Sequence, residues 1–162
     1  MGEIIKVAMG DLKICSYPDS LTTLGLGSCI GIALYDKSTR ITGLAHIMLP
    51  DSTKITRNQN KAKFADSGIE EVLRLMVEKG ANRNKIVAKI AGGADMFGFV
   101  NDSKSVFRVG ASNIVAVKEN LKKQNIPIVA EDVGENYGRT VTIRSEDGML
   151  VIKSVGKPLK EI

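Results

Sequence analysis

Short apolar runs, separated by polar or glycine-containing turns, make up most of the chain and predict β-strands. They are rich in isoleucine and valine, whose branched side chains favour strands. The predicted strands are EIIKVAM, DLKICSY, SCIGIALYD, ITGLAHIML, NKIVAKIAG, IPIVAEDV, GRTVTIR and MLVIKSV. This density of strands indicates a fold built mainly on β-sheet.

Two of the turns predict hairpins. The polar stretch DKSTR (36–40) separates SCIGIALYD from ITGLAHIML, and Asp147-Gly148 separates the last two runs. A short polar loop favours a tight turn between antiparallel strands, and an Asp-Gly pair does so most strongly. In the first hairpin we expect residues 31–34 to face residues near 44–41.

Two segments instead carry apolar residues at the spacing of one helical face. The positions are Ile69, Val72, Leu73, Met76 and Val77 in ADSGIEEVLRLMVEKG, and Ile114, Val117 and Leu121 in GASNIVAVKENLKKQN. Ser67 and Glu70 form a capping-box pattern, although a helix start nearer Lys63 also fits, and a glycine at position 80 is a natural stop. Ser112 or Asn113 is the expected N-cap of the second helix.

Strands without a regular strand–helix alternation predict an α+β fold, in which a β-sheet or sandwich core is flanked by helices. The chain of 162 residues fits one domain, 1–162. The long polar segment PDSTKITRNQNKAK, between ITGLAHIML and the first helix, is expected to be functional or mobile.

Composition narrows the classes of function. The chain is 43% hydrophobic and 25% charged, and no apolar run reaches the roughly 20 residues of a membrane-spanning helix. The net charge of +5 comes from 23 basic residues scattered among 18 acidic ones, and without tryptophan we expect no nucleic-acid partner. Two cysteines are too few for a disulfide framework, which indicates a cytoplasmic location. With one histidine we expect no metal site and no cofactor.

The glycine-rich stretch GLGSCIG (25–31) does not match a nucleotide-binding loop. Its glycines miss the GxGxxG spacing, and a strand follows where a helix is required. GSCIG does match the pattern of a nucleophile between two glycines, and small flanking residues let the chain turn sharply and admit a substrate. Cys29 is therefore a candidate nucleophile.

A nucleophilic cysteine needs a base, and the sequence has a single histidine, His46. The predicted hairpin brings Cys29 close to His46. Thr22 and Thr23 lie just upstream, and either hydroxyl could orient the imidazole. The alternative is that Cys29 is a small buried core residue, which is the ordinary role of a free cysteine and the expected one for Cys15.

Taken together, these pieces resemble the CheD family, the chemoreceptor glutamine deamidases. The matching segments are TLGLGSCIGIALYD, GLAHIMLPDS, KFADSGIEEVL, KIAGGADMFG, VGASNIVAVKENL and IPIVAEDVGENYGRTVTI. The resemblance implies a three-layer fold similar to that of the cytotoxic necrotizing factor toxins. It also implies that Cys29 is the nucleophile, His46 the base and Thr23 the third member of a triad.

The resemblance implies a reaction in which the thiolate attacks a receptor glutamine and passes through a thioester to glutamate. Ser28 and Gly27, with the Gly92-Gly93 turn, are expected to form the oxyanion and substrate loop. The implied partners are methyl-accepting chemotaxis receptors and a CheC-type phosphatase, with the chain a monomer or a heterodimer with CheC. The rival interpretations are a non-catalytic regulatory module that docks these partners, and another thiol enzyme such as a thioesterase or protease.

Overall fold

The computed structural model describes residues 2–54, 60–96 and 108–162. The strands in these ranges are β1 (Ile4–Lys6), β2 (Leu12–Ser16), β3 (Ser20–Leu26), β4 (Ile30–Asp36), β5 (Ile41–Ile47), β6 (Ile86–Gly92), β7 (Ile128–Val133), β8 (Arg139–Arg144), β9 (Leu150–Lys153) and β10 (Lys160–Glu161). The α-helices are α1 (Ala65–Lys79) and α2 (Val109–Lys123). No helix in the described part of the chain is long and apolar enough to cross a membrane.

The described strands form two five-stranded sheets that pack face to face. The central sheet has the strand order β2-β5-β4-β6-β7, and the outer sheet has the order β1-β3-β8-β9-β10. Both helices pack on the face of the central sheet that points away from the outer sheet. The layers are therefore helices, central sheet and outer sheet, which confirms the predicted α+β class.

Strand β4 is buried along its whole length because both of its faces are covered. Ile30, Ile32 and Leu34 join the core beneath the helices. Ala33, and Cys29 just before the strand, join the core between the two sheets, called here the inter-sheet layer. Burial on both faces explains why IGIALYD is an almost continuous apolar run rather than an alternating one.

The first predicted hairpin is present, with a different register. Gly31 pairs with His46 rather than with Leu44, a slip of two positions. The cause is the turn: the Asp36 carboxylate accepts hydrogen bonds from the backbone and hydroxyl of Ser38, which stabilises a loop over residues 37–40. A slip of two leaves every side chain on its predicted face.

Two described strands were absent from the sequence prediction. In β3, Gly25 looks like a turn residue, yet it lies at an irregularity between Thr23 and Leu26 in the pairing with β8, with φ of 71°. Strand β10 is a short polar segment that pairs with β9 and has no apolar pattern to reveal it. The predicted Asp-Gly hairpin between β8 and β9 is confirmed.

The helix ends show where local signals misled. The capping box was wrong: the N-cap of α1 is Phe64, as the alternative of an earlier start allowed, and Ser67 Oγ donates to the carbonyl of Lys61. Gly80 ends α1 as predicted. The N-cap of α2 is Arg108, so the prediction of Ser112 or Asn113 was also wrong.

The apolar faces of both helices are confirmed except at one position. Val77 of α1 is 43% exposed, whereas the other predicted positions of that face are buried. In α2, Val117 and Leu121 are fully buried and Ile114 packs against the same core. Asn113 lies inside the helix and is also fully buried, a position that the site below explains.

Candidate active site

The inter-sheet layer holds the three residues that the sequence singled out. Thr23 lies on β3 of the outer sheet, His46 lies on β5 of the central sheet, and Cys29 lies in the bend where the chain passes from one sheet to the other. Thr23 and His46 are completely buried, and Cys29 is 8% exposed. The fold thus gathers them from separate elements into one layer.

A pair of hydrogen bonds defines the state of the imidazole. Thr23 Oγ1 lies 2.7 Å from His46 Nδ1 and 2.7 Å from the backbone oxygen of Val7. A hydroxyl has a single proton, and a carbonyl can only accept, so Thr23 donates to Val7. Thr23 must then accept from His46, which places the proton on Nδ1 and leaves Nε2 as a bare acceptor.

The bare Nε2 of His46 is buried and has no hydrogen-bond partner among the described residues. Burial lowers the pKa of His46 from 6.5 to about 4, because the charged imidazolium is poorly solvated there. At neutral pH the side chain is therefore an uncharged imidazole with an unused lone pair. A buried acceptor of this kind is costly to leave unpaired and is a mark of a functional site.

The thiol of Cys29 is protonated at neutral pH. Burial raises the pKa of Cys29 above its usual range, while its own backbone N–H acts in the opposite direction. No hydrogen bond joins this thiol to His46 among the described contacts. The connection is the strand pairing, since Gly31, two residues after Cys29, lies opposite His46.

The bend that carries the thiol is held by its carbonyl groups. The successive backbone oxygens of residues 27–29 each accept a hydrogen bond of 2.9 Å. The donors, in order, are the N–H of Ala94, the side-chain Nδ2 of Asn113 and the N–H of Gly93. By contrast, the N–H groups of Ser28 and Cys29 donate to no acceptor on any other described residue.

The residues predicted for the oxyanion loop divide into two groups. The N–H of Gly27 donates to the carbonyl of Gly25, and that of Gly93 to Cys29, so both of these donors are engaged. The N–H of Ser28 donates to no acceptor in the described part of the chain. Within residues 2–54, 60–96 and 108–162, the amides of the bend left without a partner on another residue are therefore those of Ser28 and of Cys29 itself.

Gly92 allows the end of β6 to lie directly against the backbone of Cys29. A Cβ at this position would lie 2.2 Å from the backbone oxygen of Cys29, and its φ is 111°. Only glycine accepts both the contact and the angle without moving the bend. The Gly92-Gly93 turn was expected in the oxyanion and substrate loop, and the backbone that Gly92 meets is that of Cys29.

Sequence reasoning missed two contributors to this site. Asn113 was assigned to a helix cap, although a polar residue on the apolar face of a predicted helix was a usable signal. The carbonyl of Val7, which fixes the Thr23 hydroxyl, left no trace in the sequence because backbone groups are common to all residues. Residues 55–59 of the long polar segment before α1 and residues 97–107 before α2 lie outside the described residues.

Comparison with known proteins places the chain. The family model described as CheD chemotactic sensory transduction matches residues 48–154. A protein of Lachnoclostridium phytofermentans, named probable chemoreceptor glutamine deamidase CheD, is 56% identical over 162 residues, which cover 100% of each chain. The chain belongs to the CheD family. The matched range begins after Cys29 and His46, whereas the relative aligns across both.

Other CheD proteins of the same printed name are similarly close. The one from Caldanaerobacter subterraneus subsp. tengcongensis is 51% identical over 160 residues, covering 99% of this chain and 98% of the relative. The one from Clostridium tetani is 51% identical over 157 residues, covering 97% and 94%. Among solved structures, the crystal structure of the Bacillus licheniformis hypothetical protein YfiH aligns with a TM-score of 0.48 at 15% identity, covering 80% of this chain and 58% of that one.

Proposed function

We propose that this chain is a chemoreceptor glutamine deamidase that converts glutamine side chains of methyl-accepting chemotaxis proteins to glutamate. The names of its relatives indicate this substrate and reaction. The observation that carries the proposal is the bare, buried Nε2 of His46, fixed by Thr23 in the same layer as Cys29. A neutral imidazole so arranged is suited to take a proton from a thiol.

In the proposed reaction, Cys29 Sγ attacks the side-chain amide carbon of a glutamine, and its proton passes to His46 Nε2. The carbonyl oxygen becomes an oxyanion, which the N–H groups of Ser28 and Cys29 stabilise. The carbon–nitrogen bond then breaks, and ammonia leaves with the proton from Nε2. A thioester remains on Cys29.

Water completes the cycle. His46 takes a proton from the water, the resulting hydroxide adds to the thioester carbon, and the carbon–sulfur bond breaks. The proton on Nε2 returns to the sulfur, so glutamate is released and both side chains regain their starting states. Because His46 is neutral and the thiol protonated beforehand, proton transfer accompanies attack instead of preceding it.

The surroundings of the bend suit a protein substrate. Leu24 is 50% exposed beside Thr23, and Met96 is 46% exposed over Gly27, where an added Cβ would lie 3.4 Å from its Cγ. Exposed apolar side chains next to a reactive group favour contact with a folded partner. The proposal extends to docking of a CheC-type phosphatase on an overlapping surface, as a heterodimer of otherwise monomeric chains, and to a cytoplasmic location.

Two rival functions explain less. A purely regulatory docking module gives no reason for an unpartnered acceptor in a buried layer, where it costs stability. A thioesterase or protease would use the same groups, and the names of the relatives favour the amide of glutamine over these substrates. The reaction product distinguishes a glutamine deamidase from a thioesterase or a protease.

The direct experiment incubates the purified chain with a receptor cytoplasmic fragment and follows conversion of glutamine to glutamate by mass spectrometry. We expect conversion by the natural chain and none by Cys29→Ala, while Cys15→Ala is the matched control and stays active. Adding hydroxylamine should divert the thioester to a glutamyl hydroxamate. Conversion that survives loss of Cys29 would overturn the proposed function, as would cleavage of the fragment without deamidation.

Docking to CheC is tested separately by gel filtration. The natural chain mixed with a CheC-type phosphatase should elute as a larger species, and Leu24→Asp or Met96→Asp should weaken that complex. A complex unaffected by both substitutions would place the partner elsewhere on the chain.

A further inference from the structure

Asn113 connects the two halves of the site through one side chain. It lies in α2 and is fully buried. Its Nδ2 donates to the backbone oxygen of Ser28 at 2.9 Å and to that of Met48 at 3.0 Å. Ser28 precedes the thiol, and Met48 lies two positions beyond His46, so both hydrogens of the amide are used to tie the bend to the end of β5.

The bond to Ser28 has a consequence for the next amide group. The carbonyl of Ser28 and the N–H of Cys29 belong to one planar peptide, in which they point in opposite directions. Holding the carbonyl against α2 therefore turns the N–H of Cys29 away from the helix. That N–H has no acceptor on another described residue, and it favours the thiolate of its own side chain.

Close approach of α2 makes this bond possible, because asparagine has a short side chain. Gly110, one turn before Asn113, lies against the turn that follows β6. A Cβ on Gly110 would lie 2.4 Å from the backbone oxygen of Ala94 and 2.6 Å from that of Gly93. The glycine thus lets the first turn of α2 sit directly on the chain that clamps the bend.

Asn113 is not arranged for stability alone. Its Oδ1 is buried and has no partner among the described residues, which costs free energy. An apolar residue at this position on the helix face would avoid that cost, but it could not donate to Ser28. The unsatisfied oxygen indicates that the donor end is what the site requires.

We propose that Asn113 is a positioning residue that orients the Ser28–Cys29 peptide so that the N–H of Cys29 stabilises the oxyanion. The inference rests on the proposed function, because it concerns the oxyanion of the same reaction. Asn113 acts through the peptide and does not contact the reacting atoms.

The test compares Asn113→Ala and Asn113→Asp with Asn120→Ala. Asn120 lies on the same helix, and the acceptor of its side-chain amide among the described residues is the carbonyl of Ala116, which makes it the matched control. Loss of an oriented oxyanion donor should lower kcat by roughly 10²- to 10³-fold in both Asn113 variants. The KM should stay within about threefold, because ground-state binding is untouched. Asn120→Ala should keep both constants.

The pH dependence of thiol alkylation separates positioning from loosening. If Asn113 orients the peptide, its loss removes the N–H that favours the thiolate, and alkylation of Cys29 moves to higher pH. A merely structural role would expose the thiol to water, moving alkylation of Cys29, and also of Cys15, to lower pH. That second result, or a kcat within about threefold of the natural chain, would overturn the inference.

A measurement on the natural chain covers the case in which the variants do not fold. A receptor-derived peptide bearing an aldehyde in place of the glutamine amide should form a hemithioacetal on Cys29. Its oxygen should then move the NMR amide proton signal of Cys29 downfield. No movement would overturn the inference, whereas activity without Cys29, or cleavage without deamidation, would overturn the proposed function, so the two failures are distinguishable.

Discussion

The two cysteines of this chain have almost the same burial and quite different surroundings. Cys15 is 5% exposed and Cys29 is 8% exposed, and both belong to the inter-sheet layer. Cys15 lies within the regular strand β2, paired with Thr42 of β5. Cys29 lies in a bend outside any strand, held by donors from the turn after β6 and from α2.

The two thiols also differ in the charges and N–H groups that act on their pKa. Burial raises the pKa of Cys15 to about 11, and the nearby charge of Asp19 adds to the rise. Burial also raises the pKa of Cys29, but its own amide opposes that rise. Burial therefore does not distinguish a core thiol from a candidate nucleophile in this molecule. What does distinguish them is a pair of N–H groups and a neighbouring imidazole nitrogen that find no partner on another described residue.

The largest expected effect comes from removing the base. His46→Gln keeps a polar side chain of similar size but has no titratable nitrogen. We expect kcat/KM for receptor deamidation to fall by roughly 10³-fold or more, since general base catalysis is lost. Stopped assays with mass spectrometry measure this. Activity close to that of the natural chain would show that Cys29 needs no imidazole and differs from Cys15 in some other way.

The buried neutral imidazole also predicts acid sensitivity. His46 titrates near 6.5 when unfolded and at about 4 when folded, so the unfolded chain binds more protons between these values. Stability is then lost as the pH falls from about 6.5 to about 4, by about 3 kcal/mol. Urea unfolding at several pH values should show this slope, and His46→Gln should lack that component. An equal slope in both proteins would contradict the pKa.

A smaller effect separates two neighbouring hydroxyls on β3. Thr23→Val removes the acceptor that orients His46, and we expect kcat/KM to fall roughly 10- to 100-fold, as with other groups that orient a functional histidine. Thr22→Val is the matched control, because Thr22 Oγ1 instead contacts Val141 and Thr142. Similar losses in the two variants would place the orienting bond elsewhere.

The smallest effect is expected at the core thiol. Cys15→Ala should lower the free energy of unfolding by about 1 kcal/mol, as for the loss of one buried atom, and leave kcat/KM unchanged. Thermal or urea unfolding gives the first quantity and the receptor assay gives the second. A loss of activity without a loss of stability would give Cys15 a role that its surroundings do not suggest.

The periodic elements were readable from the sequence because their patterns are local. Helix α1 and the β8–β9 hairpin follow from spacing and turn residues. The pairing of β4 with β5 was readable to within a slip of two positions, because the carboxylate of Asp36 stabilises a longer turn than the counting assumed.

Long-range backbone contacts were not readable. Strand β3 was hidden because Gly25 interrupts its pattern, and the task of Asn113 depends on α2 meeting a bend more than 80 positions earlier in the chain. Thr23 was distinguished from Thr22 only through the family resemblance, whereas the structure separates them by the faces of one strand. The single domain over 1–162 stays a prediction, and so does the functional or mobile character of the polar segment PDSTKITRNQNKAK.

The central claim is that Cys29, and not Cys15, performs the reaction, and partial alkylation of the natural chain tests it most directly. Samples treated with iodoacetamide for increasing times are divided. One part gives the modified fraction at each cysteine by mass spectrometry, and the other gives the remaining deamidation of a receptor fragment. We predict that the remaining activity equals the unmodified fraction of Cys29, and that this loss occurs while Cys15 is still unmodified. Full activity with Cys29 alkylated, or activity that follows Cys15, would contradict the account.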